Sequence, residues 1–255
     1  MRFACLGSGS RGNALIVEQG GTRLMLDCGY PLRETERRLA RLGLAPEDLA
    51  GILVTHEHSD HTAGVGKFAR KHGLALWLTY GTLKATPGEL PDAAQINVID
   101  SHSPFDVGAL HLLPFPVPHD AREPAHFVFS DGARRLGVLT DSGASTSHIE
   151  SMLSGCDALV LECNHDLGLL MSGDYPPALK SRVAGRYGHL DNQSAARLLA
   201  ALDRGRLQHL IAAHLSQQNN TPDLARAALA QAMGCAPDWI GVADQDLGFG
   251  WRDIA

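Results

Sequence analysis

Thr55-His56-Glu57-His58-Ser59-Asp60-His61 places four metal-binding side chains within six residues. The run before it, Gly51-Ile52-Leu53-Val54, is apolar and reads as a buried strand. In an extended segment, residues two apart point the same way, so His56 and His58 can grip one ion. Asp60 and His61 fall where the chain turns into its next element and can grip a second ion alongside. Imidazole with carboxylate suits Zn²⁺, and also Mn²⁺ or Fe. The plain alternative is a polar loop that happens to be rich in histidine, since the chain holds 13 of them in 255 residues. Spacing directly behind a strand favours the metal reading.

Three more potential ligands each end a strand pattern. His119 follows Leu112–Val117, Asp141 follows Leu136–Thr140, and His214 follows Leu210–Ala213. Taken singly, each reads as a solvated turn residue. Together with the histidine run they complete a count: His56, His58 and His119 on one ion, Asp60, His61 and His214 on the other, with Asp141 bridging. That set leaves coordination positions open for a bridging hydroxide, as a hydrolytic two-metal site needs. A closed structural site would use every position, so catalysis is favoured over a metal-stabilised scaffold.

The rest of the pattern sets the architecture. Ala14–Glu18 and Arg23–Asp27 flank Gln19-Gly20-Gly21-Thr22, and His126–Ser130 and Arg135–Thr140 flank Asp131-Gly132, both hairpin signals. Helices are expected at Leu32–Leu42, Ala63–Lys71, Ser147–Met152 and Asn192–Leu202, with a last one capped by Thr221 and stopped by Gly234. Leu74–Leu78, Ile96–Ile99, Leu110–Pro116, Ala158–Glu162 and Leu207–Ala213 read as strands. Met171–Gly188 is the least regular stretch and could be a loop over the site. Hairpins first, then helix–strand alternation in each half, predict two sheets with helices outside. No repeat of fixed period is visible.

A hydrophobic content of 44% supports a sizeable core, and the net charge of −6 advertises no general affinity for nucleic acid, although a local patch is compatible with it. No stretch of about 18 apolar residues suggests a membrane span, and no signal peptide is expected. Five cysteines without a C-x-x-C pair read as reduced thiols in a cytoplasmic protein. Gly7-Ser8-Gly9-Ser10-Arg11-Gly12 matches G-x-G-x-x-G, with Asp27 at a plausible distance, but the helix that dinucleotide binding requires is missing. A tight loop near the metal site is the better reading. Ser8, Ser10 and Asn13 could then touch substrate, with a structural turn as the alternative. Lys180, Arg182 and Arg186 form a basic feature that could receive a phosphate backbone. Arg33, Arg37, Arg38 and Arg41 alternate with Glu34 and Glu36 and read as a surface face.

In order and spacing, the histidine run, His119, Asp141 and His214 resemble the metal motifs of metallo-β-lactamase-fold hydrolases over nearly the whole chain. Aspartate at position 141 resembles the phosphodiesterase and glyoxalase branches. Gly7–Ala14, Glu162-Cys163-Asn164-His165-Asp166, Gly188-His189-Leu190 and His214–Asn220 resemble the YycJ/WalJ branch, regarded as nuclease-like and linked to DNA metabolism. Its members usually carry serine where Cys163 and Asp191 stand here. His189, opening His-Leu-Asp-Asn, is similar to the His-Ser-Thr histidine of RNase Z, which works with a glutamate as proton donor; Glu162 would be that glutamate. The chemistry supports the pair independently, since phosphodiester cleavage must protonate an alkoxide and a histidine oriented by a carboxylate can do so. His165, Asn219 and Asn220 could contact phosphate or order the ligands, with a structural role as the alternative.

The sequence thus predicts one α/β domain over residues 1–255, a four-layer αββα sandwich of the metallo-β-lactamase fold. It predicts a cytoplasmic hydrolase with two divalent ions, Zn²⁺ before Mn²⁺ or Fe. A metal-bound hydroxide, oriented by Asp60, would attack phosphorus in nucleic acid or a smaller diester, with 5′–3′ exonucleolysis of DNA among the modes the resemblance implies. Hydrolysis of a thioester, lactone or β-lactam on the same centre is the rival. Oligomeric state is open.

Overall fold

Leu24-Met25-Leu26 shows how the layers arise. Leu24 and Leu26 pack between two sheets while Met25 packs under outer helices, so a strand covered on both faces is apolar at every position. The computed structural model describes residues 1–86, 90 and 95–255. Strands β1 (Arg2–Gly7), β2 (Ala14–Gln19) and β3 (Thr22–Leu26) form an antiparallel meander. Gly20 and Gly21, at φ +54° and +84°, supply the left-handed turn that a two-residue hairpin loop demands. After helix α1 (Leu32–Arg41), β4 (Gly51–Leu53) joins β3 in parallel. Helices α2 (Ser59–Thr62) and α3 (Val65–His72) lead to β5 (Ala75–Thr79), and α4 (Tyr80–Ala85) precedes β6 (Ile96–Ile99), both strands parallel.

The second half repeats the plan. β7 (Phe105–Val107), β8 (Leu110–Pro116), β9 (Ala125–Ser130) and β10 (Arg135–Leu139) are antiparallel. Helix α5 (Ser147–Leu153) leads to β11 (Ala158–Glu162); α6 (Leu167–Ser172), α7 (Pro177–Val183) and α8 (Asn192–Ala201) precede β12 (His209–Ala213); and α9 (Pro222–Met233) precedes β13 (Gly241–Val242). These last strands run parallel to β10. β14 (Phe249–Asp253) then returns to pair with β1 in the first sheet. Among the described residues each sheet has seven strands.

Phe3, Phe127 and Phe129 fill the space between the sheets. Phe68 of α3 and Leu39 of α1 cover the first sheet, and Leu153, Leu198 and Leu229 cover the second. This is the αββα sandwich expected from the sequence. The stretch 171–188 departs from expectation, because it carries the end of α6 and all of α7 rather than an irregular loop. Pro176 and Pro177 start α7, where a missing N–H is harmless. β14 and α4 were not anticipated; glycine and charges obscure the strand, and the helix has six residues.

A candidate dinuclear metal centre

The site forms where strand ends from both sheets meet. Val54 N–H bonds Trp77 O, and the chain then leaves β4 as Thr55–His61. Thr55 N–H and its hydroxyl donate to buried Asp27 at 2.8 and 3.1 Å. His61 Nδ1 lies 2.8 Å from the other Asp27 oxygen, and Thr55 Oγ1 lies 3.0 Å from His56 Nδ1. Assigning the protons to both Nδ1 atoms satisfies these contacts and leaves both Nε2 lone pairs facing inward. Gly29 permits the approach, because a Cβ there would stand 1.8 Å from Asp60 O.

Two groups hold the seven expected ligands, each with its donor atoms within 4.8 Å of one another, and a third such group, Asp141, Glu162, His189 and His214, shares two members with them. His56, His58 and His119 form one; Asp60, His61, Asp141 and His214 form the other. His56 and His61 rings lie 4.2 Å apart centre to centre, so the groups adjoin. His119 donates from Nδ1 to Gly188 O at 3.0 Å, which turns its Nε2 to within 3.2 Å of His58 Nδ1. His61 Nε2 stands 3.2 Å from Asp141 Oδ2, and His214 Nε2 stands 3.3 Å from Asp60 Oδ2. Asp141 groups with the second set, although its charge is also felt at His56 and His119.

The donor set passes a direct test of fit to a cation. His56 Nε2 and Asp141 Oδ2 are buried and lack any hydrogen-bond partner; the Asp141 oxygen is near His61 without the alignment of a bond. Such orphaned atoms are costly unless something else engages them. Burial and the field of His61 hold His56 well below the usual histidine range, which keeps it neutral and able to ligate. Burial opposes charge on Asp141 too, but His214 and His61 outweigh it and keep the carboxylate ionised. His214 is pushed the other way, up to about 10, because Asp141, Asp60 and Glu162 overcome its desolvation. Together, the fold and the His/Asp groups point to divalent metal binding.

Beside the second group stand His189 and Glu162. His189 Nδ1 is 2.8 Å from Glu162 Oε1, while Glu162 Oε2 accepts from Ser142 N at 2.9 Å and Leu190 N at 3.1 Å. Burial disfavours the Glu162 anion, but His189 more than offsets this and lowers the carboxyl to about 2. His189 is desolvated as well, yet Glu162 raises it above the usual range. His189, Asp60 and His214 line a cavity of about 360 Å³, closed on one side by Tyr175 and α7.

All seven expected ligands and the His189–Glu162 pair therefore meet at one place. Of the six residues expected to touch substrate, Ser10 and Asn219 line the cavity. Ser8, Asn13, His165 and Asn220 lie behind it, buried and committed to protein partners. Ser8 Oγ accepts from His214 N, Asn13 Nδ2 reaches Asp60 Oδ2 at 3.3 Å, His165 Nδ1 is 3.3 Å from Asn164 Oδ1, and Asn220 donates to Cys163 O. Sequence reasoning missed Asp27 as the anchor of His61, and Asn164, whose Nδ2 holds His214 through its carbonyl at 3.0 Å. The signal available for Asp27 was an acid closing an apolar strand.

Residues 22–214 match the family described as Beta-lactamase superfamily domain. The chain is 35% identical to the exodeoxyribonuclease YycJ of Bacillus anthracis, over 91% of this chain and 89% of that one. It is 31% identical to the exodeoxyribonuclease WalJ of Streptococcus pneumoniae, over 94% and 91%. The chain belongs to the YycJ/WalJ branch of the metallo-β-lactamase superfamily. Its fold also superposes on the metallo-β-lactamase fold protein YhfI of Bacillus subtilis, with TM-score 0.73, 16% identity and 98% coverage of each chain. This membership accounts for the αββα layers and for ligands drawn from several strand ends.

Proposed function

We propose that this protein is a metal-dependent phosphodiesterase acting on nucleic acid, with DNA cleaved from an end as in the activity its relatives are named for. The observation that carries the reading is the 2.8 Å contact between His189 Nδ1 and Glu162 Oε1 at the edge of the ligand groups. Thioester hydrolysis expels a thiolate, a better leaving group that has less need of such an acid; a nucleotide alkoxide does need one.

His56, His58 and His119 would hold one divalent ion, and Asp60, His61, Asp141 and His214 a second. The imidazole-rich set favours Zn²⁺, with Mn²⁺ next. When bound, such ions acidify water and neutralise charge on the phosphoryl oxygens. Asp60, which lines the cavity, would orient the attacking water. Glu162 keeps its proton on His189 Nδ1 and fixes the ring, so that the second ring nitrogen delivers a proton to the departing oxygen. The two sheets share a core, which supports one domain over the chain. Five free thiols support a cytoplasmic setting, and no helix among the described residues is long and apolar enough to cross a membrane.

The test is cleavage of bis-p-nitrophenyl phosphate and of end-labelled DNA by metal-loaded wild type and His189→Ala. Loss of roughly 10²–10⁴-fold in kcat on DNA with both ions retained is expected, with a smaller loss on bis-p-nitrophenyl phosphate, whose nitrophenolate leaves without a proton. Full turnover in the mutant would remove the proposed acid. Cleavage of neither substrate by wild type with two ions bound would favour thioester or lactone chemistry.

A further inference from the structure

We propose that Ser8 and Asn13 form a positioning relay that sets how Asp60 and His214 stand to each other, an inference that rests on the metal-dependent phosphodiesterase reading above. Asp60 follows β4 of the first sheet and His214 ends β12 of the second, so no strand pairing fixes their separation. They are nevertheless close, with His214 Nε2 3.3 Å from Asp60 Oδ2. The loop between β1 and β2 carries the connection. His214 N–H donates to Ser8 Oγ at 3.0 Å, and that hydroxyl passes its single proton to Asn13 Oδ1 at 3.1 Å. Asn13 Nδ2 then stands 3.3 Å from both Asp60 O and Asp60 Oδ2. The direction of this chain is forced. Gly9 N–H can only donate, and it lies 2.8 Å from Asn13 Oδ1, so that atom is the carbonyl oxygen and the NH₂ group faces Asp60. Of the two amide protons, one serves Gly9 O at 3.1 Å and the other is left for Asp60. An amide holds the carboxylate without neutralising it, so the charge that a cation needs is kept.

This relay gives the G-x-G-x-x-G motif a purpose that does not need a dinucleotide. Gly9 and Gly12 lie at φ +146° and +147°, where side chains are strained. A Cβ at Gly9 would stand 2.6 Å from Gln245 Oε1, and one at Gly12 2.7 Å from the Tyr30 ring. That close approach lets Tyr30 and Gln245 fasten the loop from behind. The Tyr30 hydroxyl and Gln245 Nε2 donate to Gly12 O at 2.6 and 2.9 Å, and Gln245 Oε1 accepts from Arg11 N at 2.8 Å. On the site side, Asn13 N donates to Asp60 O at 2.8 Å, and Gly29 N donates to Asn13 O at 3.0 Å. Ser8 and Asn13 are themselves buried. The amide is thus fixed at both ends before any ion or substrate arrives, which is what a ligand's support requires. Freed from it, Asp60 could turn about its own side-chain bonds, and the second ion group would lose its geometry first.

The experiment compares wild type with Ser8→Ala, Asn13→Ala, the double variant and Asn13→Asp. Two successive Zn²⁺ affinities are read by competition with a chromophoric chelator, kcat and KM on end-labelled DNA and bis-p-nitrophenyl phosphate, and folding by circular dichroism. Each alanine variant should weaken the second ion roughly 10–100-fold, the cost of removing a partner behind a ligand, and leave the first nearly as tight as in wild type. With both ions loaded, kcat should fall on both substrates while KM stays near its wild-type value. Because the two side chains act in one chain of bonds, the double variant should lose less than the product of the two single losses. Asn13→Asp keeps the acceptor for Gly9 and Ser8 but removes the donor to Asp60. It should fold and still lose kcat, and it decides the matter should Asn13→Ala not fold. A lowered Tm with both affinities and kcat unchanged would make the residues props of the loop and overturn the relay. Equal weakening of both ions, single losses that multiply, or full kcat in folded Asn13→Asp would overturn it too. A wild type that binds fewer than two ions or cleaves neither diester overturns the reading on which the relay rests, which is a different result from an active wild type with indifferent variants.

Discussion

Asp27→Asn should weaken one metal site while leaving the fold intact. Asp27 is buried, accepts from Thr55 N and Oγ1, and meets His61 Nδ1 at 2.8 Å. Its φ of +61° is left-handed, a region asparagine also tolerates, so the substitution adds no backbone strain. The amide keeps one acceptor for Thr55 and presents an NH₂ group, or a weaker neutral acceptor, to His61. Either way the proton on His61 Nδ1 is less firmly held, and the Nε2 lone pair that faces Asp141 and Asp60 is less available. Losing such a carboxylate behind a ligating histidine costs about 10–100-fold in metal affinity, or roughly 1.4–2.8 kcal/mol. The assay is competition with a chromophoric chelator, read as two successive Zn²⁺ affinities, with circular dichroism as the check on folding. The first group, whose His56 is tied through Thr55, should lose less than the second. A folded Asp27→Asn protein that binds both ions as tightly as wild type would refute the reasoning, since it would show that His61 is oriented by something other than this carboxylate.

Two further outcomes follow from burial. Chelation should abolish cleavage and lower Tm, because each site saturated at 100 times its Kd contributes about 2.7 kcal/mol, equivalent to roughly 5–11 °C in a chain of this size; an unchanged melting curve in excess EDTA would contradict a bound-metal state. Cys5, Cys28, Cys156 and Cys163 are buried, and burial pushes the first two thiols up to about 12 and Cys156 to about 11. Iodoacetamide at pH 8 should therefore label native protein at half-buried Cys235 alone and all five in urea, and intact-mass spectra showing three or more native adducts would contradict the packing.

What could be read in advance was whatever is local. The alternation of His56 and His58 behind an apolar strand is a short-range geometric fact, and so are the hairpins at Gly20-Gly21 and Asp131-Gly132. Ala158–Glu162 was read to the residue because a strand buried on both faces is a near-continuous apolar run, and Leu110–Pro116 because its mostly apolar residues are bounded by turn signals. Asp27 was met only as a candidate ribose-binding acid. Its actual partners, Thr55 and His61, lie 28 and 34 positions away and approach it only once β3 and β4 pair. Asn13, His165 and Asn220 show the converse limit. Polar residues clustered near a site suggest substrate contacts, yet a buried site needs polar struts of its own, and their spacing looks no different.

The backbone itself marks the site. Among the described residues, the non-glycine positions at positive φ are Asp27, Asp141 and His214, at +61°, +50° and +54°. Each ends a strand, β3, β10 or β12, and each side chain turns into the ligand groups or supports them. β3 and β10 hold the same place in their sheets, where antiparallel pairing on one side gives way to parallel pairing on the other. His61 lies between the two aspartates, with Nδ1 2.8 Å from Asp27 and Nε2 3.2 Å from Asp141. A left-handed residue at a strand end reverses the chain within one position, so the side chain points across the sheet edge instead of along the loop. Such conformations cost about 1–3 kcal/mol each and persist only where surrounding structure imposes them. Aspartate and histidine are among the residues that bear them most readily. Those residue types are also the ones that bind cations, so at these three positions the fold's need for a sharp exit and the site's need for ligands select the same side chains.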